Sequence, residues 1–501
     1  MRFIDKIKKL LGFGGGTVSK VKTLEKLTDH PKIDMSEKEL NRIDDDFNRY
    51  AGNYEKVKFI NSMGQERERD LFYLNMTKKV AEYMSSLVFN EQCEITIDDD
   101  AANNFIQDIF DRDDFKETLT YYLEPMFATG GLMVKPYYNR HENKIDYSWC
   151  LADTIYPVKS KNNKIKEVAV ANVTTKQVGD ETYYYTHLEF HEWLEHGAYQ
   201  ITNELYCSKE PGKVGKRVPL NELYEGLQEV TVVNYLSKPL FAYLKPAGFN
   251  NVDVYSPLGL GLCDNAKKTL DLINEACDSF HWEVKQGKRR VITSDHFLRA
   301  NMDNDGNIIQ YFDEDTDVYV ALAGGIDDMT YKDITSPIRS AQFIETINKH
   351  LSTLEMETNL SAGTFTFDGK SIKTATEVVT ENSTTYQTRN KHIAQVSKFV
   401  KDLIISTFEL AVASGLYTGK IPEYENIGID FNDGVFADKN SQLEFLSKAT
   451  LNGFMPKVEA IVRLFDVPEE EAQEWLARIN AENLGADVDF QVTKEEQEIP
   501  K

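Results

Sequence analysis

The sequence predicts a mixed α+β chain built from more than one unit, and three observations carry that reading. Residues 145–245 fall into short alternating runs split by Asn, Gly and Lys clusters, the signature of strands. Two later stretches space their apolar residues 3, 4 and 3 apart, the signature of helices packed along a seam. A length of 501 residues exceeds what one hydrophobic core usually serves.

The elements follow in order. "MSEKELNRIDDDFNRY" (35–50) reads as a polar helix, and 68–90 as a longer one carrying Leu71, Leu74, Val80, Met84 and Leu87. "CEITID" alternates as a strand, 101–128 reads as helix, and "GGLMVKPYYN" becomes a strand after Gly130 and Gly131. Strands then fill 145–245. From Asp264 the pattern changes to helix, with Leu270, Ile273, Cys277, Phe280 and Val284 on one seam. Short strands follow, with a turn at Asp305-Gly306. After Pro337 a second seam runs through Ile344, Ile347, Leu351 and Leu354. A third long helix is expected over about 374–415, then a strand in "NIGIDFNDGVF", helices over 438–483, and a loose acidic tail.

Composition narrows the function. The formal charge of −24 is not that of a protein that grips DNA tightly, although weak, sliding contact stays open. Five scattered cysteines without a CxxC pair fit buried thiols, neither a disulfide framework nor a zinc site. No run reaches the roughly 18 apolar residues of a membrane span; the best candidate, "LIISTFELAVASGL", is interrupted by Glu409. At the N-terminus, Phe3, Ile7, Leu10 and Leu11 share a helical face beside Lys6, Lys8 and Lys9. Such a helix can lie on a membrane, but a segment that packs on a partner, or stays loose before Gly14, Gly15 and Gly16, is the expectation.

Each candidate for chemistry has a plainer explanation. "AGTFTFDGKS" (362–371) imitates a phosphate loop, yet five residues separate Gly363 from Gly369 where the cradle needs four, and no strand precedes it. His187 and His191 in "HLEFHEW" could form a zinc pair on a helix; on the strand they share a face with Glu189, and an exposed face of ordinary histidines is expected. "NMDNDGNI" fits half a calcium loop through Asn301, Asp303, Asp305 and Gly306, but Phe312 stands where the bidentate glutamate belongs. The acidic runs Asp44–Asp46 and Asp98–Asp100 read as solvated faces. No catalytic signature is present. Charge in the helical middle is nearly balanced. Residues 264–290 carry six cations against five acids, and 374–415 carry four against four. A neutral wall can pass a polyanion without holding it.

Three stretches, "SLVFNEQCEITI" (86–97), "ATGGLMVKPYY" (128–138) and "NLSAGTFTFDGKSIKTATEV" (359–378), stand in this order of parts. With that order, over about residues 35–483, the chain resembles the portal proteins of tailed bacteriophages that infect Gram-positive bacteria. The resemblance implies a β-rich N-terminal wing over 1–263, stem helices over 264–287 and 336–361, and a small α/β clip over 288–335 between them. It further implies a tunnel loop over 362–373, a long wing helix and strand over 374–437, and a helical crown with the acidic tail over 438–501. Such subunits form a ring, usually of twelve, at the capsid vertex of the virion after assembly in the host cytoplasm. Double-stranded DNA passes through the ring during packaging and ejection, held weakly and without sequence specificity. The implied partners are the terminase motor, a head-completion or adaptor protein, and capsid and scaffold proteins; no catalysis, cofactor, metal or membrane is implied. Gly363, Thr364, Phe365, Thr366, Phe367, Asp368, Gly369, Lys370 and Ser371 would then face DNA, with the glycines giving flexibility. Lys285, Lys288, Arg289 and Arg290 are the further candidates for phosphate contact. The seams would pack within and between subunits. The alternatives are a capsid-associated protein that conducts no DNA, and a cytoplasmic enzyme using 145–245 as a ligand domain.

Overall fold

The computed structural model describes residues 23–60, 64–90, 93–287, 291–293, 299–302, 308–311, 331–333, 337–366, 383–431, 439–465 and 467–480. Helices and strands mix as expected. Strand β1 (Thr23–Leu24) leads to helix α1 (Glu37–Ala51). The Ser36 side chain caps α1 by accepting from the Glu39 N–H, and Gly52 ends it at φ 77°. The face bearing Glu39, Arg42, Ile43 and Asp46 is buried against the segment around 259–267. Arg42 donates there to Glu39 (2.9 Å), Asp46 (3.0 Å), Asp264 (2.9 Å) and the Gly259 carbonyl (3.0 Å). Lys267 adds contacts to Asp46 (2.6 Å) and Asp264 (2.9 Å). The solvated acidic run expected at 44–46 is therefore corrected. Asp44 is exposed, but Asp46 is buried by the helix that covers its face, and burial beside Asp264 pushes its carboxyl up to about 8.

Strands β2 (Val57–Ile60) and β3 (Glu66–Arg69) form a hairpin. The Arg69 guanidinium makes two 2.5 Å hydrogen bonds to Asp278 and lies 4.8 Å from the Trp282 ring. This fastening keeps 66–69 extended, so the helix expected from 68 begins only at Met76 as α2 (Met76–Val88), where Asn75 caps it. Strand β4 (Glu94–Ile97) precedes α3 (Asp100–Arg112) and α4 (Phe115–Thr129). The single helix expected over 101–128 is broken at Asp114, which takes a left-handed φ of 45°. The break lets Phe110 and Phe115 stack with centroids 4.1 Å apart. Asp99 caps α3 (2.8 Å from the Ala102 N), and Asp98–Asp100 are exposed as expected.

Strands β5 (Leu132–Asn139) and β6 (Lys144–Leu151) pair antiparallel. Beyond them come β7 (Ile155–Lys161), β8 (Lys164–Val178), β9 (Glu181–Trp193), β10 (Tyr199–Ser208), β11 (Gly215–Val218) and β12 (Val230–Val233). These join one antiparallel sheet in the order β1-β11-β10-β9-β8-β7, with β12 also on β10. Strand β13 (Ala242–Leu244) returns to pair with β5.

A close backbone crossing then links the end of α4 to the next long helix. Gly130 sits at φ 90°, and a Cβ there would meet the Gly259 carbonyl oxygen at 2.6 Å. Reciprocally, a Cβ on Gly259 would meet the Gly130 oxygen at 2.4 Å, and one on Gly261 the Ala128 oxygen at 2.1 Å. The Leu262 N–H donates to the Phe127 carbonyl across the same crossing (2.8 Å).

Helix α5 (Lys267–Gln286) follows, then β14 (Val291–Thr293), β15 (Arg299–Met302), β16 (Ile308–Tyr311) and β17 (Tyr331–Asp333). β15 pairs with β16 from Met302–Ile308 to Arg299–Tyr311, and β14 with β17. The pairing agrees with a hairpin, although its expected Asp305-Gly306 turn lies outside the described residues. Helices α6 (Ser340–Glu357) and α7 (Ser383–Ser414) come next. Strand β18 (Ile427–Asp430) pairs with β4, and α8 (Lys439–Leu451), α9 (Lys457–Phe465) and α10 (469–480) complete the described chain.

The main core gathers α2, α4, α5, α6 and α7. Met84, Leu119, Phe127, Ile273, Leu351, Leu354, Phe399 and Leu403 are buried in it, each worth about 1.5–3 kcal/mol. Glu409 interrupts the apolar end of α7 for a structural reason. Its buried carboxylate accepts from the Ser237 N (2.9 Å), the Ser237 Oγ (2.5 Å) and the Lys238 N (3.2 Å). Among the described residues no helix is long and apolar enough to cross a membrane. All five cysteines are free, and Cys93, Cys150, Cys263 and Cys277 are buried.

One buried group gives the fold a pH signature. His392 on α7 packs edge-on against Phe127 and accepts the Ala247 N–H through Nδ1 (3.0 Å). Burial, with the Lys391 charge adding to it, pushes its pKa down from 6.5 to about 4. The folded state keeps the ring neutral while the unfolded chain takes up a proton, so this contribution is complete above about pH 6.5 and is lost as pH falls to 4. Relative to His392→Gln, which keeps an acceptor and removes the titration, the wild type is expected to lose about 3 kcal/mol between pH 7 and pH 4. Denaturant unfolding of both proteins at the two pH values tests this; parallel losses would refute it.

Candidate functional site

Helices α5 and α6 lie side by side, and their seams meet. Leu270, Ile273 and Cys277 are buried, as are Ile347, Leu351 and Leu354. Phe280 is half-buried and stacks on Phe343 with centroids 5.2 Å apart. At the far end the seams open, leaving Val284 47% and Ile344 46% exposed. There the Arg339 guanidinium grips Glu283 through two side-chain hydrogen bonds (3.0 and 2.6 Å) and holds its carboxyl down at about 2. An open groove of about 350 Å³ runs between the helices, bordered by Leu272, Ala276, Phe343, Thr346 and His350.

The stretch after α6 is built from its last turn. Asn359 takes a left-handed φ of 56° and turns the chain out of the helix. Glu355, only 1% exposed, then accepts three backbone N–H groups from that turned segment: Gly363 (2.9 Å), Phe365 (2.5 Å) and Thr366 (3.2 Å). Gly363 has the left-handed φ of 89° that the turn requires, with open space around it. Ser361 meets Thr385 on α7 through three bonds: Ser361 N to Thr385 Oγ1 (2.8 Å), Thr385 N to Ser361 Oγ (3.2 Å), and Thr385 Oγ1 to Ser361 Oγ (3.0 Å). Thr388 donates to the Asn359 carbonyl (2.9 Å). The points where the chain leaves α6 and enters α7 are thus pinned together.

Of the nine residues expected to face DNA, Gly363, Thr364, Phe365 and Thr366 are described. Phe365 is turned inward, edge-on to Tyr83 at 5.8 Å and packed on the core, and the Thr364 hydroxyl bonds back to the Ser361 carbonyl (2.6 Å). Phe367, Asp368, Gly369, Lys370 and Ser371 lie outside the described residues, as do Lys288, Arg289 and Arg290. Lys285 is exposed, with its Nζ 5.7 Å from the Trp282 ring. Sequence reasoning missed Glu355, Ser361, Thr385 and Tyr83. The available signal was Glu355 set between Leu354 and Met356 in "HLSTLEME".

The histidine face is corrected. His187 and His191 are 7% and 2% exposed, because segments after β10 bring Tyr224 and Phe241 against their rings. His187 Nε2 meets Asn203 Oδ1 (2.9 Å), and burial lowers its pKa. His191 bonds Tyr199 (2.9 Å) and Glu189 (2.7 Å). Burial would raise Glu189, but Lys135 and His191 hold it well below the usual carboxylate range. Among the described residues no three His, Cys, Asp or Glu side chains are grouped to hold a metal ion.

Over residues 29–484 the chain matches the family model described as phage portal protein, SPP1 Gp6-like. It also aligns with a solved chain from the neck of an empty gene transfer agent particle, computed with C6 symmetry. That alignment has 12% identity and a TM-score of 0.42, and covers 78% of this chain and 89% of that one. A second solved chain, from the neck of the native particle computed with C12 symmetry, aligns at 12% identity and a TM-score of 0.42, covering 77% and 88%. No curated protein matches.

Proposed function

The chain belongs to the SPP1 Gp6-like phage portal protein family, and from that premise we propose that it forms a closed ring, of twelve copies, through which double-stranded DNA enters and leaves the capsid of a tailed phage with a Gram-positive host. On this reading α5 and α6 are the stem, the strands over 288–335 are the clip, and the segment after Ser361 is the tunnel loop. Residues 1–263, α7 and β18 form the wing, and α8, α9 and α10 form the crown. The clip meets the terminase motor during packaging and a head-completion protein afterwards. The subunit contributes no catalysis, and ATP hydrolysis belongs to the motor.

The observation that carries the reading is the half-open seam of α5 and α6. Val284 and Ile344 belong to apolar stripes that are buried at one end and roughly half exposed at the other. An apolar stripe left half exposed favours burial against another surface. A neighbouring copy in a closed ring supplies that surface to every subunit alike. Light scattering behind a sizing column is expected to give about twelve times the subunit mass of 57.3 kDa, on the order of 700 kDa for a closed ring. In the same assay, Val284→Asp with Ile344→Asp is expected to shift the mass toward the monomer. A wild-type monomer or dimer would count against the ring.

A further inference from the structure

The equal count of cations and acids over 374–415 conceals a segregation, for α7 itself holds four cations and two acids. Of its acids, Glu409 is buried against Ser237 and Asp402 is paired with Lys238 (2.6 Å). Its lysines 391, 398 and 401 fall at spacings of 7 and 3, so they share one side of the helix over about 15 Å. Strand β13 packs on α7, and Lys245 just beyond β13 donates to Asn163 Oδ1 (3.2 Å) and to the Pro257 carbonyl (2.7 Å). Asn163 leads into β8, whose first residues present Lys164 and Lys166 on the same side of the strand, both exposed. Lys238 and Lys401 flank the Tyr424 ring at 5.5 and 5.1 Å.

Among the described residues, Lys164, Lys166 and Lys391 form no ion pair, and Lys398 feels the attraction of Asp402 alone, a carboxylate that Lys238 already holds. The nearby carboxylates are already engaged, Asp402 by Lys238 and Glu167 by Lys159 (3.1 Å). Burial lowers the pKa of Lys398; Asp402 works against the shift, and Lys164, Lys238 and Lys166 add their repulsion to it. Burial also pushes Lys245 down to about 8, with Lys398 adding to it. In a chain of net charge −24, uncompensated lysines that repel one another mark a place where an anion would be stabilising.

We propose that this lysine face, Lys164 and Lys166 on β8 with Lys391 and Lys398 on α7, binds the phosphate backbone of duplex DNA. Its length decides for a polymer over a single ion. Its makeup decides for backbone contact over base reading, because lysines are mobile point charges without the fork that reads a base edge. A duplex presents one charge per about 1.7 Å. The rival polyanion is the chain's own end, 481–501, whose six acids are interrupted by apolar residues and two lysines. The proposal rests on the portal reading, which supplies DNA as the ligand.

The test uses the assembled full-length protein and a fluorescein-labelled 30-base-pair duplex, followed by anisotropy from 50 to 200 mM salt. The patch variant carries Lys164→Gln, Lys166→Gln, Lys391→Gln and Lys398→Gln. A control variant carries Lys56→Gln, Lys58→Gln, Lys209→Gln and Lys213→Gln, at lysines each paired with an acid (3.8, 3.8, 2.6 and 2.6 Å), so both lose the same charge. The patch variant is expected to bind at least tenfold more weakly at 50 mM salt, with a salt slope shallower by about 2–4, while the control stays within twofold of wild type. Equal losses in the two variants, no loss in either, absence of wild-type binding at 50 mM, or capture of a synthetic 481–501 peptide in preference to duplex would each overturn the proposal. Scattering mass is recorded in parallel. A wild-type ring that binds DNA independently of these lysines defeats the lysine face and leaves the portal reading intact, whereas absence of a ring defeats the portal reading itself.

Discussion

Replacing Arg42 by methionine is expected to cost about 3–5 kcal/mol of folding stability. The guanidinium is 6% exposed and touches Glu39, Asp46 and Asp264, all buried. Methionine fills much of the volume but leaves three carboxylates to share Lys267, which already serves Asp46 and Asp264. Burying unpaired charge, more than losing favourable contacts, sets the size of the effect. Two accompanying results separate this account from simple loss of packing. Adding Asp264→Asn to the Arg42→Met protein should recover part of the loss. The loss should also be larger at pH 8 than at pH 5, because Asp46, whose carboxyl burial beside Asp264 pushes up to about 8, carries its charge only at the higher pH. Denaturant midpoints read all three, and a cost below about 1 kcal/mol with no rescue would reject the cluster as a structural tie.

Changing Glu355 to glutamine is expected to loosen the turn after α6 while leaving the helices in place. The carboxylate accepts three backbone N–H groups inside a buried site. An amide offers one acceptor oxygen and sets its own NH₂ donors against the others. Losing charge-assisted bonds of this kind costs about 2 kcal/mol or more, or about 30-fold in a local opening equilibrium. Hydrogen exchange at Gly363, Phe365 and Thr366 should accelerate by at least that factor, with amides in the middle of α6 unchanged. Unaltered exchange at those three sites would show that Phe365 on Tyr83 and the Ser361–Thr385 bonds hold the turn unaided. If the turn roots a loop that meets moving DNA, the same substitution should lower the DNA packaged per particle while scattering mass stays at the wild-type value.

The seams were legible in the sequence because their spacing is a property of the helix itself. Leu270, Ile273, Cys277, Ile347, Leu351 and Leu354 are all buried. Spacing cannot say where a partner helix stops, so the exposure of Val284 and Ile344 was not foreseeable from it. The start of α2 was misjudged for a related reason. Residues 68–75 have helical composition, but the Arg69–Asp278 pair spans 209 positions and holds them extended. Alternation correctly put His187, Glu189 and His191 on one side of β9, yet which side of a sheet is covered depends on segments far along the chain. The candidate site was the least legible part. Glu355 reads as one more acid on an amphipathic helix, and only the turn at Asn359 brings the following amides onto it. Counting charges over 374–415 gave a balance that hid both the buried role of Glu409 and the excess of lysines on α7.

The glycine crossing at 130, 259 and 261 has a consequence for how such chains can diverge. At each position the nearest obstacle to a side chain is a main-chain oxygen, which no smaller residue opposite could remove, and at Gly259 the Lys245 Cβ stands equally close at 2.5 Å. A volume added on one strand of a packed core can be offset by a smaller partner; here no smaller partner exists on either side. The three positions should therefore tolerate no exchange singly or in combination. Across related sequences they would be constant columns without correlated change, so methods that infer proximity from paired substitutions would be blind to one of the tightest contacts in the molecule.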